Sequence, residues 1–100
     1  MTITVINNLQ GFKTNTFYIG RPSILGNPFF MTSERARQRV IDDYRVWLNN
    51  EMMKKGEVFN EMKKILILSK THDVHLKCYC SPKPCHGDVI KEVIEKGFDV

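Results

Sequence analysis

The sequence predicts an α/β or α+β fold, a single small domain in the order β-β-α-α-β-α whose small mixed sheet is flanked by helices. Three observations lead there. Period-two alternation of apolar residues marks short stretches near residues 2–6, 16–19 and 74–80, and a helical period marks those between and after them. The length of 100 residues suits one folding unit spanning 1–100. A hydrophobic fraction of 42% with 26% charged residues is ordinary for a globular chain with one core.

In Thr2–Ile6, Ile3 and Val5 alternate with threonines, a short strand that Asn7-Asn8 and Gly11 close in a turn. Thr16–Ile19 is a second β-prone run, with Phe17 and Ile19 on one face and Tyr18 on the other. It runs into Gly20-Arg21-Pro22-Ser23-Ile24-Leu25-Gly26-Asn27-Pro28-Phe29, where the spaced glycines and prolines exclude regular structure and require a shaped loop. Thr32 or Ser33 caps a helix with Val40, Ile41, Tyr44, Trp47, Leu48 and Met52 on its apolar face, and Gly56 ends it. A second helix presents Val58, Phe59, Met62, Ile65 and Leu66. Ile65–Leu68 alone would also read as a buried strand, but the period before it favours a helix. Val74, Leu76, Cys78 and Cys80 alternate with His75, Lys77 and Tyr79 in a third strand. The last helix begins near Gly87-Asp88, carries Val89, Ile90, Val93 and Ile94, and stops at Gly97.

The net charge of +4 and a pI near 9.1 favour anionic partners, with a small anion preferred to nucleic acid. Arg35, Arg37, Arg39 and Arg45 read most simply as a solvated cationic face. No apolar run approaches the roughly 18 residues of a membrane span. Met1–Val5 lacks the basic and apolar segments of a signal peptide, and the cysteine count is odd. The expected compartment is the reducing cytoplasm.

All three cysteines and one of the three histidines fall between Cys78 and His86, where a strand gives way to a helix. One reading is a zinc site made of Cys78, Cys80, Cys85 and His86, since thiolates and imidazole favour that ion. Against it, a Cys-x-Cys pair on a strand points to one face with its members about 7 Å apart. Cys78 and Cys80 also continue the apolar alternation of Val74 and Leu76. We therefore expect reduced thiols and no metal or other cofactor. A second reading makes Cys85 a nucleophile at a helix N-terminus with His86 assisting; its plainer counterpart is a cysteine packed beneath the loop.

A third reading is an anion site. The amides of Gly87, Asp88 and Val89 open the helix and point at a phosphate, Asp88 bonds a sugar hydroxyl, and Arg21 and Ser23 close in from the other loop. Asn27, held between Gly26 and Pro28, would orient a base or ribose. A strand followed by a tight loop and a helix places that loop at the carboxyl edge of a sheet. If the strands ending at Ile19 and Cys80 run parallel, the two unusual loops lie side by side.

Phe17-Tyr18-Ile19-Gly20-Arg21-Pro22-Ser23, Gly26-Asn27-Pro28-Phe29, Cys78-Tyr79-Cys80 and Pro84-Cys85-His86-Gly87-Asp88-Val89-Ile90 together resemble a small family of bacteria and bacteriophages known only as a domain of unknown function. The helix segment Tyr44–Leu48 is also similar to that family's pattern, so the resemblance runs from Phe17 to Ile94. It implies a family-defining site built from both loops and no reaction. The expectation is a domain that binds a phosphate-bearing molecule, a nucleotide or nucleotide-sugar derivative, between the Arg21 loop and the Cys85-His86 loop. The alternative is a non-enzymatic protein that binds a host protein partner, its cysteine cluster structural.

Overall fold

The alternation at residues 74–78 belongs to the middle strand of the sheet. The computed structural model describes residues 2–7, 14–78 and 83–99. Within them β1 (Ile3–Asn7), β2 (Thr16–Tyr18) and β3 (Val74–Cys78) form a three-stranded sheet in the order β1-β3-β2. Both pairings are parallel, with Ile3 opposite Val74 and Phe17 opposite Leu76. The sheet expected to be mixed is thus parallel among the described strands. Parallel neighbours need a crossover, and the long path from β2 to β3 supplies one made of helices. The Asn8–Gly11 turn and the alternation at Tyr79 and Cys80 lie outside the described residues.

A single 3₁₀ turn, Glu34–Ala36, leads into α1 (Arg37–Lys54), which is followed by α2 (Glu57–Ser69) and, after β3, by α3 (His86–Lys96). Ser33 stands at the N-cap of the 3₁₀ turn, but its side chain makes no capping bond. Nor does Gly56 end α1. Lys55 takes the left-handed C-cap conformation, φ 55° and ψ 36°, and Gly56 becomes the N-cap of α2. The ambiguous run at 65–68 is helical, with Ile65 and Leu66 buried and Ile67 half exposed. Gly97 ends α3 at φ 77°, a conformation that favours glycine.

One apolar cluster joins the sheet to the helices. Ile3, Val74, Leu76 and Cys78 face Ile41, Tyr44 and Leu48 of α1, Met62 and Ile65 of α2, and Val89, Ile90 and Ile94 of α3. Among the described residues no helix is long and apolar enough to cross a membrane.

Candidate functional site

β2 and β3 are parallel neighbours, so the segments leaving Tyr18 and Cys78 emerge at the same edge of the sheet. The ladder continues one residue past β2, where the Ile19 amide donates to the Lys77 carbonyl at 3.0 Å. From the far side His86, the first residue of α3, donates its Nε2–H to the Ile19 carbonyl at 2.6 Å. The Arg21 loop and the Cys85-His86 end therefore meet.

The loop after Ile19 is folded by two successive turns, Ser23 N–H to Gly20 O and Gly26 N–H to Ser23 O, both 2.9 Å. A Cβ on Gly26 would lie 3.0 Å from the Ser23 carbonyl oxygen and 3.1 Å from the Arg21 backbone, so this close approach needs glycine. Two tyrosines then pin the loop. Tyr18 donates its hydroxyl to the Arg21 carbonyl at 2.9 Å, and buried Tyr44 of α1 donates to the Leu25 carbonyl at 2.8 Å.

Between the two segments lies a cavity of about 420 Å³, within the usual size of a small-molecule site. Arg21, Arg37 and His86 line it together with Asn27, Phe29 and Cys85, and among the described residues no carboxylate does. The Arg21 guanidinium lies 4.0 Å from the centre of the Phe30 ring and makes no hydrogen bond or ion pair among the described residues. Arg37 is braced instead. Its Nε and Nη2 hold both oxygens of Glu34 at 2.9 and 2.8 Å, and Nη1 donates to the Pro84 carbonyl at 2.9 Å. Lys83 adds a 3.3 Å contact to the same carboxylate. These bonds, Arg37's foremost, hold the exposed Glu34 carboxyl down to about 2. Among the cavity residues, sequence reasoning passed over Arg37, Tyr18, Phe29, Met31 and Val40.

Four expected ligand residues, Gly87, Asp88, Val89 and Ser23, are placed elsewhere. Cys85, extended at φ −153°, is the N-cap of α3, and its Sγ accepts the Gly87 amide at 3.3 Å. The Asp88 amide bonds the Cys85 carbonyl at 3.0 Å, and the Asp88 carboxylate accepts the Cys85 amide at 3.0 Å. This is a capping box with sulfur in the serine position. The Gly87 and Asp88 amides thus find their acceptors within the helix start, Val89 is wholly buried in the core, and none of Gly87, Asp88 and Val89 lines the cavity. Ser23 is likewise off the lining, its Oγ enclosed and without a partner among the described residues. Asn27 does line the cavity, with Oδ1 accepting the Phe29 amide at 2.8 Å.

Cys78 and Cys85 are buried thiols not joined in a disulfide, and their sulfurs stand 3.0 Å apart. The bond to Cys78, then burial, pushes the Cys85 thiol far above its ordinary range. A thiol held protonated lacks the activation of a nucleophilic cysteine, which counts against the catalytic reading of Cys85. Cys80 of the zinc set lies outside the described residues. Among those described, no three metal-binding side chains come together.

Burial lowers the basicity of His86, with Arg21's charge adding to the effect and the bond to Ile19 opposing it. The neutral ring therefore donates through Nε2 and leaves Nδ1 as an acceptor. Its sign in stability is definite. Below the ordinary histidine value the unfolded chain binds the proton more readily, so the stability present at higher pH is lost as the pH falls through the folded value. Thermal unfolding between about pH 7.5 and 5 should show a steeper loss for the wild type than for His86→Gln. Equal slopes would mean that His86 is not buried neutral.

The family described as a domain of unknown function, DUF4326, matches residues 7–96, which includes both loops and the helices between them. No curated protein and no solved structure matches the chain.

Proposed function

The chain belongs to the DUF4326 family, and we propose that it binds a phosphate-bearing small molecule, a nucleotide or nucleotide-sugar derivative, in the cavity between the Arg21 loop and the Cys85-His86 end. One observation carries this reading: among the described residues the cavity is lined by two guanidiniums and no carboxylate, and the Arg21 guanidinium has no protein acceptor. A planar fork of donors without an acceptor matches a phosphate. The position supports it too, since ligands of parallel sheets bind outside the carboxyl ends of the strands. No reaction is assigned. In a reducing cytoplasm Cys78 and Cys85 stay as thiols.

Arg21→Ala should weaken binding by about 1.5–3 kcal/mol, the worth of hydrogen bonds to a charged group. Arg21→Lys should restore only part, because an ammonium cannot make the bidentate contact. Stability without ligand should not change, since the side chain is exposed and outside the core. A thermal-shift screen of nucleotides, dinucleotides and inorganic pyrophosphate against both proteins tests this. Equal shifts in wild type and Arg21→Ala, or none with any phosphate compound, would reject it.

A second reading, a protein-binding module, draws on Phe30 and Ile24, which are 75% and 46% exposed in the same loop. A negative phosphate screen would favour that reading.

A further inference from the structure

A second cavity, of about 370 Å³, opens beside the first and shares Phe29 and Val40 with it. Its chemistry differs. Phe29, Phe30, Thr32, Arg39 and Asp43 line it, so one cation and one carboxylate accompany two phenyl rings. Arg39 and Asp43 stand four positions apart on α1, hence on one face, and neither side chain has a hydrogen bond or ion pair among the described residues. A charge-balanced, aromatic-walled cavity does not suit a second phosphate. It suits a planar heterocycle that both donates and accepts.

Resting on the phosphate reading above, we propose that this second cavity holds the base of the same nucleotide and that the base is guanine. A carboxylate only accepts, and guanine offers it two adjacent donors, N1–H and the N2 amine, where adenine presents the acceptor N1. Arginine only donates, and guanine's O6 and N7 are its usual pair of acceptors. Phe30 lines the second cavity and touches Arg21 of the first. Arg21 covers one face of its ring, and the ring is 75% exposed, so the other face is available to stack a base. Asn27, whose Oδ1 is taken by the Phe29 amide, fixes the wall between the cavities, and the base-orienting role passes to Asp43.

Calorimetric titration with guanosine monophosphate, adenosine monophosphate and inorganic pyrophosphate tests this. The wild type should bind the guanine nucleotide about tenfold more tightly than the adenine one, the discrimination expected of a good bidentate pair. Asp43→Asn should abolish that preference with the adenine nucleotide unaffected, and Arg39→Gln should reduce it. Phe30→Ala should weaken both nucleotides and leave pyrophosphate unchanged. Unliganded thermal midpoints confirm that each variant is folded, and the Arg39 and Phe30 variants carry the test should Asp43→Asn unfold. Equal affinity for the two nucleotides, with Arg21→Ala still weakening both, would overturn the base assignment and leave the phosphate site standing. No binding of any of the three probes would overturn both.

Discussion

Tyr44→Ala should destabilise the protein by about 3–5 kcal/mol in chemical denaturation, the usual cost of deleting a large buried aromatic side chain. Tyr44 is fully enclosed, its ring 5.3 Å from that of Trp47 and 4.9 Å from that of His86. Packing is only part of the effect. Burial keeps the phenol well above its ordinary titration range, so it remains a donor to the Leu25 carbonyl. Tyr44→Phe isolates that bond. It should cost about 1–3 kcal/mol, because the carbonyl is left buried without its partner. Binding of the proposed phosphate ligand should also weaken, since the bond holds the loop that presents Arg21. A phenylalanine variant as stable as the wild type would show that the loop holds its shape without α1.

Gly87→Ala should be the other large effect, and its sign is a contest. Helix propensity alone favours alanine by about 1 kcal/mol. A Cβ there would sit 2.9 Å from Ile19 Cδ1, 3.1 Å from Val5 Cγ1 and 3.2 Å from Cys85 Sγ. The end of an isoleucine side chain is movable in principle, but Ile19 is 0% exposed and has nowhere to go. Overpacking should win, with a net loss of about 1–3 kcal/mol. Ile19→Val removes the nearest methyl, so the double variant should lose less than the sum of the singles. Strict additivity would mean that the helix shifts as a body instead.

Most of the fold was legible because its signals are local. Val58, Met62, Ile65 and Leu66 mark their helix by their own spacing, and Val74, Leu76 and Cys78 mark their strand in the same way. Strand direction is not local. β1 meets β3 across some 70 residues, as the pairing of Ile3 with Val74 shows, and nothing in either strand states its partner or its sense. The helix end at Lys55 was hidden for another reason: a residue with a side chain took the left-handed position that Gly56, next in line, would fill at less cost.

At the site, Arg21, Asn27, Cys85 and His86 stood out because glycine and proline crowd around them. Arg37 did not, since by composition it equals Arg35 and Arg39, and only the fold sets it beside Pro84. The helix-start amides read as open to a ligand because capping rules are written for oxygen. Nothing in Cys85 announces that its sulfur will take the Gly87 donor.

The strand order β1-β3-β2 has a consequence for how the chain is made. The two strands synthesised first are the sheet's edges, and each finds its only described partner in the strand made last. A nascent chain that has emerged as far as Ser69 can wind α1 and α2, but it has no ladder to close. Assembly of the sheet waits for β3, which must enter between two strands already present and bond to both. The helices therefore have a head start, and the carboxyl edge that carries the cavity is completed only once β3 and the start of α3 have left the ribosome.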